Sequence, residues 1–173
     1  GGTDTNADKE FLWPMSALLP LEAADSIPPL AKDAGTNVDM LVVDFDASTD
    51  ECRTFTFLVP PDVTAGGTVT FTVTGYSAAA TTGDSIVEIR HNSGVASGVD
   101  PDQALTTVAD GATTTAGTAG QITLYTWTET QTNLAWAASD LVVGVVCRDA
   151  NHASDTLVGA LRALTFGIRI PRS

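Results

Sequence analysis

Between residues 68 and 74 the chain alternates strictly, with Val69, Phe71 and Val73 on one side of an extended backbone and Thr68, Thr70, Thr72 and Thr74 on the other. This is the period of a half-buried β-strand. Similar short runs fall at residues 38–45, 53–59, 85–90, 122–128, 141–147 and 164–170, separated by Gly, Asn, Asp and Pro. In 122–128, Ile122, Leu124 and Thr126 oppose Thr123, Tyr125 and Trp127; in 164–170, Leu164, Phe166, Ile168 and Ile170 share a face. The run 141–147 is almost continuously apolar, which predicts a strand buried on both sides. A weaker run at 104–109 sits inside a Gly-, Ala- and Thr-rich connection spanning 93–120. No helical stripe interrupts these runs. The pattern predicts an all-β chain, an eight-stranded antiparallel β-sandwich of the jelly-roll type over residues 36–173.

Residues 1–35 read differently. Pro14, Pro20, Pro28 and Pro29 break any helix or central strand, yet Phe11, Leu12, Trp13, Met15, Leu18 and Leu19 are crowded together. A disordered tail has no need of such residues. The expectation is an extended, apolar, Pro-rich N-terminal arm whose six large side chains form an oligomer or partner contact. On that reading, deleting residues 1–20 leaves a folded domain that no longer assembles.

Composition narrows the partners. The 173 residues carry 21 acidic and 8 basic side chains, a formal charge of -13, and the basic residues are scattered. Nucleic acid and anionic membranes are disfavoured, since both require clustered cations. No stretch reaches the roughly 18 apolar residues of a membrane-spanning helix. Two cysteines, Cys52 and Cys147, are too few for a disulfide scaffold. Buried free thiols are expected of them rather than a bridge.

The residues that could carry chemistry are few. Asp44, Asp46, Asp50 and Glu51 place four carboxylates within eight residues, enough oxygens for calcium. The closed twelve-residue loop with its anchoring Gly is absent, so a solvated turn is expected. His91 and His152, each beside an Asn, read as exposed loop histidines. No Gly-x-Ser-x-Gly elbow occurs, and Gly66-Gly67 before a strand is hairpin chemistry. Trp13, Trp127, Trp136, Tyr76 and Tyr125 could form a sugar-stacking platform or a protein interface, with core packing claiming at least one Trp. No catalytic residue, metal or cofactor is expected.

The lead Phe11-Leu12-Trp13-Pro14, the segments Val42-Val43-Asp44-Phe45-Asp46 and Arg53-Thr54-Phe55-Thr56-Phe57-Leu58-Val59-Pro60, and the ending from Ser139-Asp140-Leu141-Val142 through Arg148-Asp149-Ala150 to Asp155-Thr156-Leu157 resemble jelly-roll structural proteins of tailed bacteriophages. These are head decoration or cement proteins and tail-associated modules. The resemblance implies a non-enzymatic virion protein at the particle surface, bound to the major capsid protein or another virion protein as a homo-oligomer, a trimer first among the options. The alternative is a carbohydrate- or receptor-binding β-sandwich module of a phage tail or extracellular protein.

Overall fold

A computed structural model describes residues 7–20, 27–34, 36–79, 82–114 and 118–173. Its strands, in chain order, are β1 (Lys9–Pro14), β2 (Leu19–Pro20), β3 (Leu30–Ala34), β4 (Asp39–Phe45), β5 (Glu51–Leu58), β6 (Thr68–Tyr76), β7 (Asp84–His91), β8 (Thr106–Thr114), β9 (Thr123–Thr130), β10 (Leu141–Arg148) and β11 (Leu161–Ile170). They form two antiparallel sheets. The larger has the order β3-β4-β11-β6-β9, with β1 also paired to β11, and the smaller has the order β2-β5-β10-β7-β8. The expected eight-stranded sandwich is present as β4 to β11.

Alternation decides what enters the core. Val69, Phe71 and Val73 point inward from β6, and Thr123, Tyr125 and Trp127 from β9, leaving Thr68, Thr70, Thr72 and Thr74 of β6 and Thr126 and Thr128 of β9 outward. On β11 the register shifts between Ala163 and Thr165. This bulge turns Leu161 and Ala163 into the core together with Phe166, Ile168 and Ile170, which an unbroken alternation could not do.

The expected boundary near residue 35 does not survive, because the N-terminal segment belongs to the sandwich. All of β1 pairs with β11, from Lys9 opposite Ile170 to Pro14 opposite Thr165. Phe11 lies 4.8 Å from Phe57 and Trp13 stacks on Phe166 at 5.6 Å, ring centre to ring centre. Met15 and Leu18 are buried in the same core. Pro14 is tolerated because β1 is an edge strand whose last residue needs no further donor. Two further strands of this region, β2 and β3, pair with β5 and β4. Arg53 reaches inside to the carbonyls of Leu18 (3.2 Å) and Pro28 (2.5 Å) and ties the segment down at two points. Of the expected contact residues only Leu12 (62%) and Leu19 (70%) are strongly exposed. The portions of the expected arm at residues 1–6, 21–26 and 35 lie outside the described residues.

The cysteine expectation is also corrected. Cys52 and Cys147 form a disulfide across 95 residues of sequence, because the β5–β10 register sets them directly opposite one another. Closing so long a loop contributes about 2–4 kcal/mol, chiefly by restricting the unfolded chain. The weak run at 104–109 becomes the nine-residue strand β8, so the 93–120 connection is shorter than its composition suggests. Residues 115–117 lie outside the described residues.

After β10 the chain turns through residues 149–160 around one buried ion pair. Arg148 donates from Nε to Asp155 Oδ2 (3.0 Å) and from Nη2 to Oδ1 (2.8 Å). It also donates to the carbonyls of Leu157 (2.6 Å) and Gly159 (2.8 Å). Asp155 Oδ2 in turn accepts from the Ile86 amide at 3.0 Å.

Candidate functional site

The outer face of the larger sheet is a grid set by strand register. One row runs Glu10, Arg169, Thr70, Thr128, the next Leu12, Gly167, Thr72, Thr126, and the third Pro14, Thr165, Thr74, Leu124, across β1, β11, β6 and β9. Neighbours stand roughly 5 Å apart across strands and roughly 7 Å apart along them. Gly167 at the centre has no side chain, so the face sinks into a trough of about 490 Å³ with Leu12 and Leu124 on its flanks. A Cβ at this position would touch Leu12 Cδ1 at 3.5 Å and begin to fill the floor.

Hydroxyls dominate this surface. Each threonine offers one donor and two acceptor lone pairs, so the trough can answer a ligand whose groups both donate and accept. Charge enters at one end. Arg169 reaches Thr70 Oγ1 (3.4 Å) and stands 3.6 Å from Asp8, and Glu10 sits beside it in the same row.

The other sequence candidates lie elsewhere. Tyr76, Tyr125, Trp127 and Trp136 are buried, and Trp13 is half-buried against Phe166. The sugar-stacking platform is therefore corrected, since these rings pack inward to build the core. The four carboxylates of the acidic turn are directed to separate partners. Asp46 Oδ1 accepts from the amide and hydroxyl of Ser48, both at 2.7 Å, which holds its carboxyl below the usual range. Glu51 accepts from the Asp46 amide at 2.6 Å, and burial pushes its carboxyl up. Asp50 accepts from Asn151, and Asp44 stands 3.6 Å from Arg162. Among the described residues no group of three or more His, Cys, Asp or Glu side chains could hold a metal ion.

His91 is not an exposed loop residue. It ends β7, is buried, and its Nδ1 lies 3.1 Å from Trp136 Nε1 and against the Asn92 carbonyl. Desolvation pushes its pKa below the ordinary 6.5, so the native ring is neutral. An unfolded chain protonates this histidine near pH 6.5, and the stability held above that pH is lost as pH falls through the lower folded value. Between pH 7.5 and 5.0 the unfolding free energy is thus expected to drop more in the parent protein than in His91→Gln. Denaturant titrations at the two pH values check this, and equal drops would contradict it.

No protein-family model and no curated protein matches the sequence. Solved structures share the fold. The isomalto-dextranase of Arthrobacter globiformis T6, solved with panose, aligns over 92% of this chain and 23% of its own, with a TM-score of 0.55 at 15% identity. This chain thus spans about a quarter of that protein. A family 35 carbohydrate-binding module from Clostridium thermocellum aligns over 92% of this chain and 97% of its own, with a TM-score of 0.52 at 9% identity. The family 35 module of Cellvibrio japonicus Abf62 aligns over 92% of both chains, with a TM-score of 0.50 at 10% identity. The likeness is one of fold, a jelly-roll β-sandwich of the kind found in carbohydrate-binding modules.

No motif marked the trough in the sequence. The alternation of 68–74 identified the threonine face, but the glycine at its centre and the strands on either side follow from pairing.

Proposed function

We propose that this chain is a non-catalytic binding module that takes a carbohydrate in the threonine trough of its larger sheet. The observation that carries the reading is the trough itself, a concave surface of hydroxyls flanked by Leu12 and Leu124. The fold it shares with family 35 modules supports the same class of ligand. A sugar would be held by hydrogen bonds from Thr70, Thr72, Thr126 and Thr165, with its apolar ring edges on the two leucines. The rings buried in the core take no part.

A glycan array followed by calorimetry tests this. The expected result is binding of a neutral oligosaccharide that weakens about tenfold in the Thr72→Val, Thr126→Val double variant, since each lost hydrogen bond is worth about 0.5–1.5 kcal/mol. Silence across a broad array, or unchanged affinity in the double variant, would overturn the reading.

A second reading keeps the virion role that the phage-like segments imply: a surface protein bound to a capsid or other virion protein as a homo-oligomer. The exposed Leu12 and Leu19 would supply apolar contacts to such a partner. Mass spectrometry of purified particles should then find the chain in fixed ratio to the major shell protein. Its absence from particles would dismiss this role.

A further inference from the structure

The two sheets treat water differently. On the larger sheet the inner strand β6 turns Thr68, Thr70, Thr72 and Thr74 outward, as an antiparallel sheet with one wet face favours. On the smaller sheet the inner strand β10 does not. The outward residues of β10 are Leu141, Val143, Val145 and Cys147, set opposite Leu58, Thr56, Thr54 and Cys52 of β5. The double-sided apolar run that predicted a strand buried on both faces is real, and among the described residues a crossing segment, residues 99–105, lies over part of its outer side. Leu105 packs on the disulfide and Val145. Between this segment and the sheet a groove of about 320 Å³ stays open, with Thr54, Val143 and Val145 as its floor and Pro101, Asp102 and Gln103 along its wall.

The electrostatics of this groove select its occupant. On the same face Arg90 lies across from Val145 and is paired with Glu88 at 2.5 Å, so that pair brings no net charge to the groove, and Asp102 is the charged residue of its lining. Asp100 is engaged locally, accepting from the Asp102 amide (2.9 Å) through Oδ1 and from Gln103 Nε2 (2.7 Å) through its carbonyl. The Asp102 carboxylate is exposed and makes no hydrogen bond or ion pair among the described residues. An apolar floor beneath a free carboxylate matches a long aliphatic stem ending in a cation.

We propose that this groove docks a basic segment of a partner protein, with a Lys or Arg stem lying on Val143, Val145 and Pro101 and its charge meeting Asp102. The site lies on the opposite sheet from the threonine trough and stands or falls independently of the carbohydrate reading.

Titration of methyl-labelled protein by NMR tests it, with N-acetyl-trilysine amide as probe. A matching peptide of 2,4-diaminobutyrate, which carries the charge on a shorter stem, serves as comparison. Trilysine is expected to shift the methyls of Val143, Val145 and Leu105, and its affinity should fall with added salt. Asp102→Asn, an exposed change outside the core, should weaken it roughly threefold, as for a surface ion pair. Shifts centred on the Asp44 to Glu51 turn, equal binding of the short-stem peptide, indifference to Asp102→Asn, or no shifts at all would each overturn the proposal.

Discussion

Arg148→Ala is expected to lower the unfolding free energy by about 3–5 kcal/mol, the cost of breaking a buried ion pair by removing one partner. Both side chains of the Arg148–Asp155 pair are fully buried. Removing the guanidinium leaves the Asp155 carboxylate charged and unpaired. It also strips donors from the carbonyls of Leu157 and Gly159, which shape the turn back to β11. The loss is a large share of the roughly 5–15 kcal/mol that stabilises a typical domain. An Arg148→Met, Asp155→Leu double variant should be less damaged than Arg148→Ala, because no lone charge remains inside. Equilibrium denaturation of the three proteins checks this, and a loss below about 1 kcal/mol for Arg148→Ala would contradict the buried-pair account.

Deleting residues 1–20 is expected to abolish the native fold rather than release a stable domain, reversing what the sequence suggested. The truncation strips β1 from β11 along its whole length and removes Met15 and Leu18 from the core. It exposes Phe55, Phe57 and Phe166, against which Phe11 and Trp13 pack. The milder Met15→Ala should cost about 2–5 kcal/mol, as for a fully buried large-to-small change. Near-ultraviolet circular dichroism and amide NMR spectra report the outcome. A truncated chain with native dispersion and an unchanged melting temperature would show that the segment is an appendage after all.

The misreading of that segment has a physical cause. Lys9, Phe11 and Trp13 do alternate with Glu10, Leu12 and Pro14, but a leucine on the wet side and prolines close by masked the period. Proline at residue 14 excludes a central strand, and β1 is an edge. The buried rings of Trp127 and Tyr125 were ambiguous for a related reason, because an aromatic in a strand reads alike whichever face is inward. His91 looked like a loop residue because Asn92 follows it, while its burial depends on Trp136, 45 residues away.

What the sequence by itself determined was the all-β class, the eight strands from β4 to β11, the threonine face of β6, the unusual apolarity of β10 and the strong negative charge. These are properties of composition or of period-2 alternation, and both are local. The tertiary structure alone decided which strands lie side by side. It thereby brought Cys52 to Cys147, set Gly167 between Leu12 and Thr72, left the outer side of β10 half covered, and drew the N-terminal strands into the sandwich. Partners distant in the chain are matched by register and packing, and neither leaves a mark in the spacing of residues along one segment.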